Sequence, residues 1–121
     1  MRLAPIALLI LAAATPAADR RRVPEATPTG PAVGCVQLNQ IRETQVRDDR
    51  TIDFMMRGGR VYRNVLPRSC PNLGFEQRFG YATSLNQLCS VDIITVLQLP
   101  PSPSGASCGL GKFQPVKLAK R

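Results

Sequence analysis

Cys35, Cys70, Cys89 and Cys108 are the residues of this chain best suited to chemistry, and their spacing argues against most of it. Zinc sites usually place two ligands about two to four residues apart. Here the intervals are 35, 19 and 19 residues, and the chain contains no His. No Cys-x-x-Cys pair is present for thiol exchange. Without an imidazole, neither a Ser-His-Asp nor a Cys-His hydrolytic centre can be assembled. What remains is a disulfide framework, which an even number of cysteines in a short exported chain supports. Three pairings are open. The nested one, Cys70–Cys89 inside Cys35–Cys108, is preferred. Cys70 precedes a Pro-Asn-Leu-Gly turn and Cys89 opens a strand, whereas Cys35 and Cys108 lie near the two ends of the folded region.

The acids offer few pairings. Asp48 and Asp49 are adjacent in a turn and should point apart into solvent. Asp53 and Asp92 fall inside expected strands. A carboxylate there is either a buried acid of the kind acid–base chemistry uses, or a group on the solvated face or bonded to a backbone amide or an arginine. The second reading is favoured for both, and Asp92 is the more interesting because its strand is otherwise nearly all apolar. Arg57, Arg60 and Arg63 flank a hairpin tip, where solvated side chains are expected rather than an anion site. Gly109-Leu110-Gly111-Lys112 has the look of a phosphate loop but lacks the strand–loop–helix setting. Its expected role is to let the chain turn beside Cys108. No catalytic residue, metal or cofactor is assigned, and the residues lean away from an enzyme.

The elements that must position these groups begin after a targeting segment. Met1-Arg2 supplies a positive start, Leu3 to Ala14 is apolar, and Ala14-Thr15-Pro16-Ala17-Ala18 supplies small residues. That order is read by signal peptidase, and the apolar stretch is too short to cross a bilayer core of about 30 Å as a helix. Residues 1–18 are therefore expected to be a cleaved secretory signal. Ala32-Val33-Gly34-Cys35 has the form of a lipid-attachment box, but Arg20-Arg21-Arg22 and three prolines separate it from the apolar stretch, so Cys35 is assigned to the fold. Residues 19–34, with Pro24, Pro28 and Pro31, read as an extended linker.

The folded region is expected over 35–116. Residues 35–41 alternate as a first strand, and Asp48-Asp49-Arg50 is a turn. Residues 51–57 and 60–66 form a hairpin closed by Gly58-Gly59, two residues that adopt positive φ without steric cost. The two-residue turn sets Met56 opposite Val61 and Met55 opposite Tyr62. Further strands are expected over about 75–82, 90–98 and 106–116, with a short helical turn near Thr83 to Leu88 capped by Ser84. Pro100 to Gly105 reads as an exposed loop, and Pro115 as the end or edge of the last strand. About six short antiparallel strands and at most one short helix give a mainly β, disulfide-stapled barrel or sandwich. Six aromatics without Trp make a modest core, so the bridges are expected to be needed for folding.

Net charge is +8, and much of the excess lies at the ends: three Arg at 20–22 against Asp19 and Glu25, then Lys117, Lys120 and Arg121 in a basic tail over 117–121. The core lacks the basic face interleaved with aromatics that a nucleic-acid domain shows. The ends suit solubility first and weak attraction to an anionic envelope surface second.

The order of Cys35, an Asp-Asp turn at 48–49, Tyr62-Arg63-Asn64-Val65-Leu66, Cys70-Pro71-Asn72-Leu73, Leu88-Cys89-Ser90-Val91-Asp92 and Cys108-Gly109-Leu110-Gly111-Lys112-Phe113-Gln114-Pro115 resembles a family of small exported proteobacterial four-cysteine proteins catalogued as a domain of unknown function. The resemblance covers about residues 35–116. It implies an exported single-domain scaffold, and no activity or functional residue carries over. The expected protein is a monomeric periplasmic or envelope module that binds a protein or envelope component. Two rivals are a small hydrolase or lyase using Asp92, and a secreted enzyme inhibitor, which its charge would restrict to acidic targets. N-terminal sequencing of the exported protein should start after Ala14, Ala17 or Ala18; recovery of intact Met1 would remove the secretory assignment.

Overall fold

The computed structural model describes residues 23–83, 85–101 and 104–119. The expected signal at 1–18, the Ser84 cap and the last two tail residues lie outside the described residues. Ten strands are described: β1 (Ala26–Pro28), β2 (Cys35–Gln37), β3 (Ile41–Asp48), β4 (Thr51–Met56), β5 (Val61–Val65), β6 (Phe79–Tyr81), β7 (Gln87–Cys89), β8 (Ile93–Leu97), β9 (Ser104–Gly109) and β10 (Phe113–Leu118). One helix, α1, spans Leu73–Glu76. The strands form three antiparallel sheets, ordered β1-β10-β5-β4-β3, β2-β7 and β6-β8-β9. No sheet closes on itself, so of the two expected forms the molecule takes the sandwich.

Alternation along the strands decides what lies between the sheets. Ile52, Phe54 and Met56 of β4 point inward, as do Ile94 and Val96 of β8, and all five are buried. Phe54 is the centre. Its ring meets Phe113 of β10 edge-on at 5.2 Å and Phe79 of β6 at 6.4 Å, which ties the five-stranded sheet to the three-stranded one. Leu73 of α1, Leu88 of β7 and Val36 of β2 complete the core.

The β4–β5 hairpin is present, but its register is one residue away from the expected pairing. Met55 faces Val61 and Phe54 faces Tyr62. A 3₁₀ turn over Arg57–Gly59 lengthens the loop, with Gly58 and Gly59 at φ 84° and 86°, and Met56 N–H donates to the Arg60 carbonyl. The shift sets Asp53 opposite Arg63.

Several boundaries also differ. Ala26–Pro28, placed in a linker, pairs with β10, and Lys117 and Leu118 of the presumed tail belong to β10. The expected strand over 106–116 is two strands in different sheets, β9 and β10, joined by 110–112. Pro115 is interior to β10, beyond the last β1 pair, where only its carbonyl is used, accepting from Thr29 N–H. The start of the 75–82 strand is α1 instead, and residues 87 and 88, given to a helical turn, belong with Cys89 to β7.

The disulfides are Cys35–Cys89 and Cys70–Cys108, interleaved rather than nested. Cys35 and Cys89 are direct partners across β2 and β7, and the pairing excludes Cys35 as a lipid-attachment site. Cys70 sits in the loop after β5 and reaches β9, because the Asp49 carbonyl accepts the Cys70 N–H and fixes the loop there. With sequence separations of 54 and 38, each bridge taken alone contributes about 4 kcal/mol through the unfolded chain. Two such bridges mark an oxidising, non-cytoplasmic compartment.

The crossover from β9 to β10 depends on Asn64, which is fully buried. Its Nδ2 donates to the Gly111 carbonyl at 2.7 Å and its Oδ1 accepts the Gly111 N–H at 2.8 Å, so one side chain pairs with a backbone as a strand would. A Cβ at Gly111 would collide with the Val65 carbonyl oxygen. Gly111→Ala should therefore destabilise the protein by about 2 kcal/mol and lower Tm by roughly 10 °C. An unchanged thermal melt would show that this crossover is not under steric constraint.

Candidate functional site

Asp53 is the most enclosed ionisable group of the sandwich, at 0 % exposure. It lies on the face of the five-stranded sheet opposite the core, in the middle of β4. Arg63, its cross-strand partner on β5, donates from Nε to Oδ1 at 2.8 Å and from Nη2 to Oδ2 at 2.9 Å. Arg47 donates from Nε to Oδ2 at 2.8 Å. The β3 register shifts between Val46 and Asp48, and Arg47 is the residue at that irregularity. Such a bulge re-aims a side chain, and here the guanidinium reaches Asp53. Both carboxylate oxygens are thus held in charge-assisted bonds, while the arginines are only 19 % and 13 % exposed. Asp53 has no path to a substrate. Of the readings open to it, the one that holds is a carboxylate bonded to arginine. Arg63, expected in solvent at the hairpin tip, is instead one of its clamps, and Arg57 donates to the Asn39 carbonyl.

In the Asp48-Asp49-Arg50 turn Asp48 is exposed, as expected, whereas Asp49 is half-buried and bonded to α1. Asp48 Oδ1 accepts the Arg50 N–H, and Asp49 Oδ1 accepts the Gly74 N–H at the start of α1. Arg50 donates from Nε to the Leu66 carbonyl at 2.6 Å and from Nη2 to the Pro67 carbonyl. These bonds hold the loop that carries Cys70. The open cleft beside them, about 600 Å³, is lined by Arg47, Arg50 and Phe75 among others, and Phe75 is 83 % exposed.

Asp92 precedes β8 instead of lying within it. Its Oδ2 accepts the Cys89 N–H at 2.7 Å and its own N–H returns to the Cys89 carbonyl, so it closes the turn behind the Cys35–Cys89 bridge. The cleft next to it is lined by Gly80, Tyr81, Ala82, Val91, Ile93 and Thr95, with no basic side chain among the described residues. Gly109 to Lys112 holds no phosphate-loop geometry; it is the crossover gripped by Asn64. Among the described residues no three His, Cys, Asp or Glu side chains converge on a metal position. Asn64 is the functional polar group that pattern reading passes over. Its signal is a carboxamide on the inward-facing row of β5, between Tyr62 and Leu66.

A further exposed surface lies on the three-stranded sheet. None of β6, β8 and β9 carries a charged residue. Ile93 and Leu97 point outward from β8 at 52 % and 40 % exposure, and Val91 and Leu99, just beyond its ends, are exposed as well. Fold and polar groups together define an antiparallel, disulfide-stapled β-sandwich whose buried ionic chemistry is committed to structure. The chain matches no protein-family model, no curated protein and no solved structure.

Removing the Asp53 charge leaves two poorly solvated guanidinium groups facing each other. Asp53→Asn is expected to cost about 3 kcal/mol or more, measured by urea unfolding. A loss under 1 kcal/mol would mean that the arginines relax freely into water.

Proposed function

We propose that this is an exported periplasmic or envelope protein that works by binding a protein or envelope component and carries out no reaction of its own. The observation that carries the reading is the uncharged outer face of the β6-β8-β9 sheet on a chain of net charge +8. Exposed apolar patches mark interaction sites. Export rests on the signal-like residues 1–18 and agrees with the oxidising compartment that the disulfides require. The resemblance to exported four-cysteine proteins points to the same compartment and supplies no activity. The protein acts as a monomer without nucleic acid, and the basic residues at its ends add weak attraction to anionic surfaces.

The immobilised protein should retain a component of the native envelope extract, and the double variant Ile93→Lys, Leu97→Lys should lose at least tenfold of it while keeping the wild-type melt. Equal retention by both proteins, retention by neither, or turnover by the purified protein on a hydrolase and lyase substrate panel would overturn the reading.

A further inference from the structure

The three-stranded sheet ends in an open edge at β9. Its order is β6-β8-β9, and among the described residues β9 pairs only with β8. Alternate residues of an antiparallel strand direct their N–H and C=O groups to opposite sides, so part of the β9 backbone faces away from β8 with no strand to receive it. Proteins normally protect such an edge with charge, proline or a covering segment. Ser104–Gly109 contains neither a charge nor a proline.

What lies beside this edge is a groove of about 420 Å³. Ala106, Ser107, Cys108 and Gly109 all line it. Consecutive strand residues point to opposite faces, so a groove touching four in a row has the strand's edge as its floor. Pro67, Arg68, Ser69 and Pro71 form a wall, and the Cys70–Cys108 bond ties the loop that carries it to the floor. The four residues of floor extend about 13 Å, enough for a short extended segment. Arg68 is exposed and makes no hydrogen bond or ion pair among the described residues, unlike Arg47, Arg50, Arg57 and Arg63, which are all engaged.

We infer that this groove receives an extended acidic peptide segment of a partner protein, added to β9 as a fourth strand with an Asp or Glu side chain against Arg68. The inference rests on the binding reading above and names its partner. Backbone pairing supplies the register, and alternate peptide side chains lie beside Ser107 and Gly109 on the uncharged face that continues to Ile93 and Leu97. The net charge of +8 favours an acidic strand over a second copy of this chain.

The test titrates the purified, disulfide-intact protein with two pools of capped octapeptides, one enriched in Asp and Glu and one in Lys and Arg, followed by amide NMR shifts. The acidic pool should move the amides of residues 106–109 and that of Arg68. Arg68→Glu should weaken the response at least tenfold, and backbone N-methylation of the selected peptides should abolish it. The inference is overturned by no shift at residues 106–109 with either pool, by equal binding of N-methylated peptides, by preference for the basic pool, or by sedimentation showing that a second copy occupies the edge. If the envelope component is still retained by Arg68→Glu at wild-type level, this groove is the wrong site while the binding reading stands. If wild type retains nothing, the binding reading itself has failed.

Discussion

Cys70 and Cys108 sit on opposite layers of the sandwich, and the bond between them joins the loop leaving the five-stranded sheet to the edge of the three-stranded sheet. Cys35–Cys89 instead links β2 to β7 within the two-stranded sheet, and so joins the segment before β3 to the segment before β8. Because the two closed loops interleave in sequence, opening either one frees chain that the other still encloses. The apolar interior they hold is small: a Phe54-centred cluster fed by short strands. A domain of this size gains only about 3–5 kcal/mol from such a core, comparable with the contribution of a single bridge. The bridges are therefore a condition of the fold, and the fold in turn presupposes an oxidising compartment.

The polar groups follow the same logic. Asp53, Asn64, Asp49, Arg50 and Asp92 each complete a junction between elements: β3 to β5, β5 to the β9–β10 crossover, the Cys70 loop to its platform, and the turn behind Cys89. Groups that would attract a catalytic assignment are consumed in making short strands cohere. What the described residues leave exposed includes an uncharged sheet face and an open strand edge.

Local pattern reading reached the fold class, the β4–β5 hairpin and its glycine turn, because alternation and positive φ are properties of neighbouring residues. It missed the hairpin register by one residue, since a 3₁₀ turn over Arg57–Gly59 leaves the apolar alternation plausible in either setting. That single shift decides whether Asp53 faces Asn64 or Arg63, so the ionic cluster was out of reach as well. The bridge pairing was hidden for a different reason: β2 meets β7 across 54 residues, and no spacing rule encodes which distant strands adjoin. β1 was masked by its own composition. Three residues ending in proline do not make a strand by propensity; they do so because β10 offers them an edge.

Thermal unfolding of the same preparation, oxidised and then fully reduced with thiols confirmed free by mass, bears most directly on the dependence of this small interior on covalent linkage. The oxidised protein should unfold in one cooperative transition, and the reduced protein should show none above 25 °C. A reduced protein that still melts cooperatively within a few degrees of the oxidised one would contradict the account.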